Sequence, residues 1–203
     1  MKIVILVEGQ TELAFKPVLR EFLSARLPNN PRLVFRPFKG RLPKERKLKS
    51  VVEGHLQGSN RADAVIALTD VYTGTDDFTD AADAKAKMLT WVGPNPKFHP
   101  HAAQHDFEAW LLPFWPTIQK LAQHNKAAPS GAPENVNHHN PPAYRIKEIF
   151  ELGKCRDSYN KPRDADRILK DKNNSLLFAA NACPELKAFL NTILSLCGGE
   201  LIA

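Results

Sequence analysis

The 203-residue chain predicts an α/β fold: a mainly parallel four-stranded sheet between helices, with a helical extension at the carboxyl end. Three observations predict it. Within Lys2–Val7 and 62–70 the runs Ile3–Val7 and Ala64–Leu68 are continuously apolar rather than alternating, as in strands buried on both faces. Segments of helical periodicity follow the strand-like runs, which calls for crossover connections and therefore parallel pairing. Beyond residue 143 the pattern is helical.

The first strand, Lys2–Val7, ends in Glu8 and Gly9. Gly9 suits a tight turn, and Thr11 suits the cap of a helix carrying Phe15, Val18, Leu19, Phe22 and Leu23 on one face. Leu27–Pro31 is a turn-rich break. Arg32–Phe38 alternates as a second strand, with Pro37 ending it or marking a sheet edge. A basic segment from Lys39 runs into a helix over 46–57, with Leu48, Val51, Val52 and Leu56 on one side. The third strand, 62–70, ends in Asp70. A Gly- and Asp-containing loop over 71–79 and a helix over 80–92 follow. Gly93–Pro96 stops that helix. Lys97–Ala103 reads as a short fourth strand interrupted by Pro100, and Phe107, Trp110 and Leu111 open an amphipathic helix with Glu108 in its first turn. The organisation predicted is a core over 1–123, a mobile Pro- and Asn-rich linker over 124–142, and a helical layer over 143–203. That layer holds helices over 144–152, 162–170 and 183–197.

Composition narrows the partners. With 43% apolar residues the chain can build a core. A net charge of +6 favours a polyanionic partner. Lys39, Arg41, Lys44, Arg46, Lys47 and Lys49 crowd one stretch, and Lys161, Arg163, Arg167, Lys170 and Lys172 another. Three cysteines, odd in number and without metal-ligand spacing, fit a reducing compartment. The chain starts on a strand without a charged leader. No apolar run approaches the ~18 residues of a membrane span. A soluble, cytoplasmic protein with no membrane association is expected.

Acids stand at the expected carboxyl ends of parallel strands in three places: Glu8 with Glu12, Asp70, and Glu108. Asp76 and Asp77 lie in the loop after Asp70. In a doubly wound sheet such ends share one crevice. Gathered carboxylates raise one another's pKa and need a counter-charge. Oxygen-only donors, with no His or Cys in register, suit Mg²⁺ or Mn²⁺ rather than Zn²⁺. Such ions act on phosphodiesters. Glu12 reads equally as a helix-start acid favoured by the dipole. Glu8 is harder to explain structurally, since a charge ending an apolar strand is costly to bury unpaired. His99, His101, His138 and His139 do not form a zinc set. His105 either orients Glu108 or makes an ordinary polar contact. Trp91, Trp110 and Trp115 read as core.

These residues carry a resemblance. The strand ending in Glu8-Gly9, the helix entry after it and the strand ending in Asp70 resemble the Toprim fold, a Rossmann-like fold shared by topoisomerases, primases and overcoming-lysogenization-defect (OLD) nucleases. Val7-Glu8-Gly9-Gln10-Thr11-Glu12 resembles the nuclease branch, where a second acid follows four residues after the first. His105-Asp106-Phe107-Glu108-Ala109-Trp110 and Tyr159-Asn160-Lys161-Pro162 resemble motifs of small Toprim-like proteins often encoded beside AAA or ABC ATPases in bacterial and phage-defence clusters. Toprim domains usually carry Asp-x-Asp after the third strand, whereas Asp70 is followed by Val71 and Tyr72. That leaves one ion on Glu8, Asp70 and Glu108, unless Asp76 or Asp77 replaces the missing acid.

The resemblance implies a metal-dependent nuclease acting on DNA or RNA, with Glu8, Asp70 and Lys161 as catalytic residues. Glu8, Glu12, Asp70, Asp76 and Glu108 are the metal-ligand candidates. As in related nucleases, Lys161 would stabilise phosphoryl charge or protonate a leaving oxygen; otherwise it is a solvated Lys before Pro162. Lys39, Arg41, Lys44, Arg46, Arg145 and Arg163 are candidates for phosphate contact. A non-catalytic or conditionally active subunit is the alternative. The chain has no phosphate-binding Gly-Lys-Ser/Thr loop, so ATP would be handled by a partner ATPase. Nucleotidyl transfer ranks third.

Overall fold

The computed structural model describes residues 1–72, 76–137, 140–153 and 158–203. Strands β1 (Lys2–Val7), β2 (Arg32–Pro37), β3 (Ala64–Asp70) and β4 (Phe98–Ala103) form one sheet in the order β2-β1-β3-β4, every pair parallel. Helices α1 (Phe15–Ser24), α2 (Glu45–Leu56) and α3 (Ala81–Val92) make the crossovers. The pleat sends Ile3, Ile5, Val7, Ile66 and Leu68 into one core with Leu19 and Phe22 of α1. Val4, Leu6, Val65 and Ala67 enter another with Leu48 and Val52 of α2 and Met88 and Val92 of α3. Both faces are covered, so β1 and β3 carry no polar alternation. Pro37 and Pro100 are tolerated because β2 and β4 are edge strands.

The chain leaves β1 for β2 on one side, then returns past β1 to β3 and β4 on the other. The direction of winding therefore changes between β1 and β3, and their carboxyl ends flank the crevice where such sheets bind ligands.

After β4 come a 3-10 segment (Phe107–Phe114), α4 (Trp115–Ala122), a 3-10 turn (Pro133–Asn135), α5 (Pro142–Leu152), α6 (Lys161–Leu169), α7 (Leu176–Ala182) and α8 (Pro184–Leu196). The seven residues of α7 are too few to show a period in sequence. The carboxyl-terminal helices share the α1-side core: Phe189 of α8 lies 6.1 Å from Phe15 and 5.8 Å from Trp110, ring centre to ring centre. No helix among the described residues is long and apolar enough to cross a membrane.

The stretch expected to be a loose linker is anchored where it is described. Val136 is buried, and Trp115 Nε1 donates to the Lys126 carbonyl at 2.8 Å. The buried Glu134 carboxylate accepts from Trp110 Nε1 at 2.9 Å and from the Glu185 and Leu186 N–H groups at 3.0 and 3.3 Å. Those N–H groups open α8 and have no partner within the helix, so a carboxylate there satisfies them and meets the dipole. Composition shows the prolines and asparagines but not this anchor. Glu134→Ala should lower stability by about 2–4 kcal/mol, since three donors lose their acceptor in the interior. Urea unfolding measures the loss, and limited proteolysis should then cut within 124–137. His138, His139 and Cys155 lie outside the described residues.

Candidate functional site

Glu8 follows the last residue of β1 and is 5% exposed. The Thr69 hydroxyl donates to its Oε1, and the nearby Asp70 and Leu42 backbone N–H groups favour its charged form. The Gly40 N–H binds the Glu8 carbonyl at 2.9 Å, so the basic loop after β2 is pinned onto the end of β1. Burial pushes the Glu8 carboxyl up from 4.5 to about 7; Thr69 opposes the rise and Glu12 adds to it.

Glu12 opens a 3-10 turn (Glu12–Ala14) that leads into α1, and its Oε2 accepts the Gly9 N–H at 3.2 Å. Thr11 does not cap: its backbone is already helical and its side chain makes no capping bond. The turn is held by Leu13 N–H on the Gln10 carbonyl and Ala14 N–H on the Thr11 carbonyl. Burial raises the Glu12 carboxyl, and Glu108 adds to the rise.

Asp70 ends β3 on the same pleat face as Ile66 and Leu68, which points it toward the α1-side core. Its carboxyl is held well above the usual carboxylate range, first by burial and then by Glu8, Glu12, Asp106 and Glu108. Asp70, Glu8, Glu12, Asp106 and Glu108 make up the candidate site. Asp106 follows His105, whose φ of 69° lies in the left-handed region uncommon for a non-glycine residue. The His105 carbonyl accepts the Tyr72 N–H at 2.6 Å, tying this bend to the chain just after β3. Asp106 Oδ2 accepts the Ala143 N–H at 3.1 Å, while the buried Oδ1 has no hydrogen-bond partner among the described residues. Burial and Glu108 lift the Asp106 carboxyl to about 7.

Glu108, in the first turn of the 3-10 segment, is 1% exposed. Its Oε1 accepts the Tyr159 hydroxyl at 3.3 Å and its Oε2 the Lys161 ammonium at 3.2 Å. Burial and Glu108 raise the Tyr159 phenol, which keeps it a donor. Burial alone would lower the Lys161 pKa; Glu108, Asp106 and Asp70 outweigh it and hold the ammonium above its usual value. Lys161 is thus tied to the acid cluster through Glu108, with 48% of its side chain still open to solvent.

A family model described as a domain of unknown function, DUF4276, matches residues 7–194. The chain belongs to the DUF4276 family. Its matched span takes in Glu8 and every other residue of the acid cluster, with Tyr159 and Lys161. No curated protein and no solved structure matches the chain.

Within this DUF4276 chain Glu8, Glu12, Asp70 and Glu108 stand close enough to act on one another's charge, while the loop acids Asp76 and Asp77 face elsewhere. Asp76 is exposed. The Asp77 carboxylate pairs with Lys44 at 2.5 Å and its carbonyl accepts from Lys87 at 2.8 Å. The acid added beside Asp70 is Asp106, which the sequence reading passed over. Its signal was the acid-x-acid spacing Asp106-Phe107-Glu108 at a helix start. Lys39, Arg41 and Arg46 are exposed. Arg145 lies 3.8 Å from Glu148, and Arg163 grips Asp164 at 3.0 Å, so both guanidinium groups already have protein partners.

Among the described residues, no three His, Cys, Asp or Glu side chains stand ready as a coordination shell. The DUF4276 donor set nevertheless fits a hard cation chemically. All its donors are oxygens, Asp106 Oδ1 is buried and has no hydrogen-bond partner among the described residues, and Lys161 sets a positive charge against five carboxyl groups.

Proposed function

We propose that this protein is a Toprim-type nuclease that hydrolyses DNA or RNA phosphodiesters in the cytoplasm with Mg²⁺ or Mn²⁺. The observation that carries the reading is that Glu8 and Asp70 close the adjacent parallel strands β1 and β3 at the crevice, beside a buried Asp106 Oδ1 with no hydrogen-bond partner among the described residues. Several buried acids of raised pKa at a ligand crevice are unfavourable for stability, which is the mark of a working site. Glu8, Glu12, Asp70, Asp106 and Glu108 would hold the cation; Asp76 drops out of the set. A divalent ion there would activate water and neutralise charge on the attacked and leaving oxygens. Glu108 holds the Lys161 ammonium at the cluster, ready to meet phosphoryl charge, and Tyr159 fixes the other oxygen of Glu108. The exposed Lys39, Arg41 and Arg46 supply sequence-independent contacts to flanking phosphates; Lys44, like Arg145 and Arg163, already has a protein partner.

The test is cleavage of plasmid DNA and of single-stranded DNA and RNA with Mg²⁺ or Mn²⁺, with EDTA as control. Lys161→Ala should lower kcat by about 10²–10³-fold while leaving the melting temperature within a few degrees. Unchanged turnover in this variant would remove Lys161 from the chemistry.

A second reading, a conditionally active subunit of an AAA- or ABC-type ATPase, is favoured by how closed Glu8 is. The cavity beside it measures about 10 Å³ and is lined by Leu42, Phe78, Met88 and Trp91. The Lys44–Asp77 pair joins the loops over it. On this reading the isolated chain cleaves slowly, and a partner ATPase of that kind with ATP raises the rate. No rise on adding both would leave the stand-alone enzyme.

A further inference from the structure

We propose that Asp164 and Asn160 act together as positioning residues, fixing the start of α6 so that Tyr159 and Lys161 both reach Glu108. The turnover part of the argument rests on the nuclease reading; the geometric part stands without it.

Asn160 is the residue before α6 and has an extended backbone, φ −105° and ψ 106°. Its Oδ1 accepts the Arg163 N–H at 3.1 Å, and its own N–H donates to Asp164 Oδ2 at 2.8 Å. The two side chains thus satisfy two otherwise free N–H groups reciprocally, a capping arrangement that locks the chain's entry into the helix. In an extended segment residues two apart project to the same side. Tyr159 and Lys161 flank Asn160 in that way, and they occupy the two oxygens of the same carboxylate. If Asn160 left its extended conformation, both would lose their aim together. Pro162 narrows the choice further, because its ring disfavours a helical conformation at Lys161 unless the cap imposes it.

Asp164 is what makes the cap rigid. It is fully buried, and a buried carboxylate is expensive unless well partnered. Arg163 meets it with two nitrogens, Nε on Oδ1 and Nη2 on Oδ2, each at 3.0 Å. Arg167 adds Nη1 on Oδ1 at 3.3 Å. Burial raises the Asp164 carboxyl, but Arg163, the Asn160 N–H and Arg167 outweigh it and hold it below the usual range.

Lys161 itself gives the helix nothing. An ammonium in the first turn of a helix opposes the dipole, and a helix designed for stability alone would carry an acid there. The energy in the Asn160–Asp164–Arg163 cap is therefore directed at presenting a cation where α6 does not want one.

The experiment compares Asp164→Asn, Asn160→Ala and the conservative Asn160→Asp, which caps equally well. For Asn160→Ala and Asp164→Asn, kcat should fall ~10- to ~100-fold, as misplacement of a charged group does, with KM nearly unchanged. Asn160→Asp should restore wild-type turnover, which general destabilisation would not explain. Independently of activity, acylation of Lys161 by an amine-reactive ester, read by mass spectrometry, should be several-fold faster in Asn160→Ala than in wild type. Glu108→Gln should produce the same rise, and the double variant no further rise. Labelling of Lys161 as slow in Asn160→Ala as in wild type would overturn the proposal. So would a kcat unaffected by Asn160→Ala. If wild-type protein cleaves nothing, the nuclease reading fails and the labelling series alone decides the positioning.

Discussion

Glu8→Gln and Asp70→Asn should each abolish divalent-dependent cleavage, by about 10³-fold, while making the metal-free protein more stable. The combination is unusual, because most substitutions of buried residues destabilise. It follows from how the acids are held. Glu8 is buried with its carboxyl raised from 4.5 to about 7, a difference of about 3 kcal/mol against the charged form. Gln keeps an acceptor for the Thr69 hydroxyl, and it removes the charge. Asp70 has still more like charge around it.

The sign of the pH dependence is fixed by the direction of the shift. Folded Glu8 binds its proton more tightly than unfolded Glu8, so below about pH 4.5 both states are protonated and nothing is lost. As pH rises from about 4.5 to about 7 the unfolded chain gives up the proton first, and the native state is progressively destabilised; above 7 the loss is constant. The stability gained by Glu8→Gln should therefore be near zero at pH 4 and complete by pH 8. His101 runs the other way. Burial lowers its pKa from 6.5 to about 3, so stability is lost as pH falls through that window. It does so equally in both proteins and cancels from the difference. Chemical denaturation of the two proteins at several pH values measures the effect. A Glu8→Gln protein less stable than wild type at pH 8 would mean that Glu8 is a structural anchor.

Mg²⁺ or Mn²⁺ should raise the melting temperature strongly at pH 8 and little at pH 5. A ligand at 100 times its Kd stabilises by about 2.7 kcal/mol, which for a domain of this size is about 5–10 °C. At pH 5 the raised carboxyls of Glu8 and Asp106 keep their protons, and an incoming cation has to displace them. Asp70→Asn should remove most of the shift at pH 8. An equal shift in wild type and Asp70→Asn would place the binding elsewhere on the molecule.

Much of this arrangement was legible in sequence, for reasons that differ between residues. β1 and β3 declared themselves because both faces are covered, leaving no polar position until the strand ends. Glu8 and Asp70 stood out because a carboxylate closing such a run has no cheap structural explanation. Asp106 was less visible. Its place depends on a bend at His105 and on the Ala143 N–H, 37 residues away, and neither leaves a trace in local pattern. Glu134 was hidden among prolines and asparagines because its three donors come from Trp110 and the start of α8. Lys161 could be read either as a solvated residue or as part of the site. The choice rests on the two contacts to Glu108 on either side of Asn160, and those require the tertiary fold.

The most direct test is a crystal structure of the protein soaked with Mn²⁺ at pH 8, with the ion located by its anomalous signal. The account predicts a peak bonded to Asp70 and to at least one of Glu8, Glu12, Asp106 and Glu108, absent in Asp70→Asn crystals. A fully occupied Mn²⁺ site away from these carboxylates, or no peak beside them at saturating Mn²⁺, would contradict it.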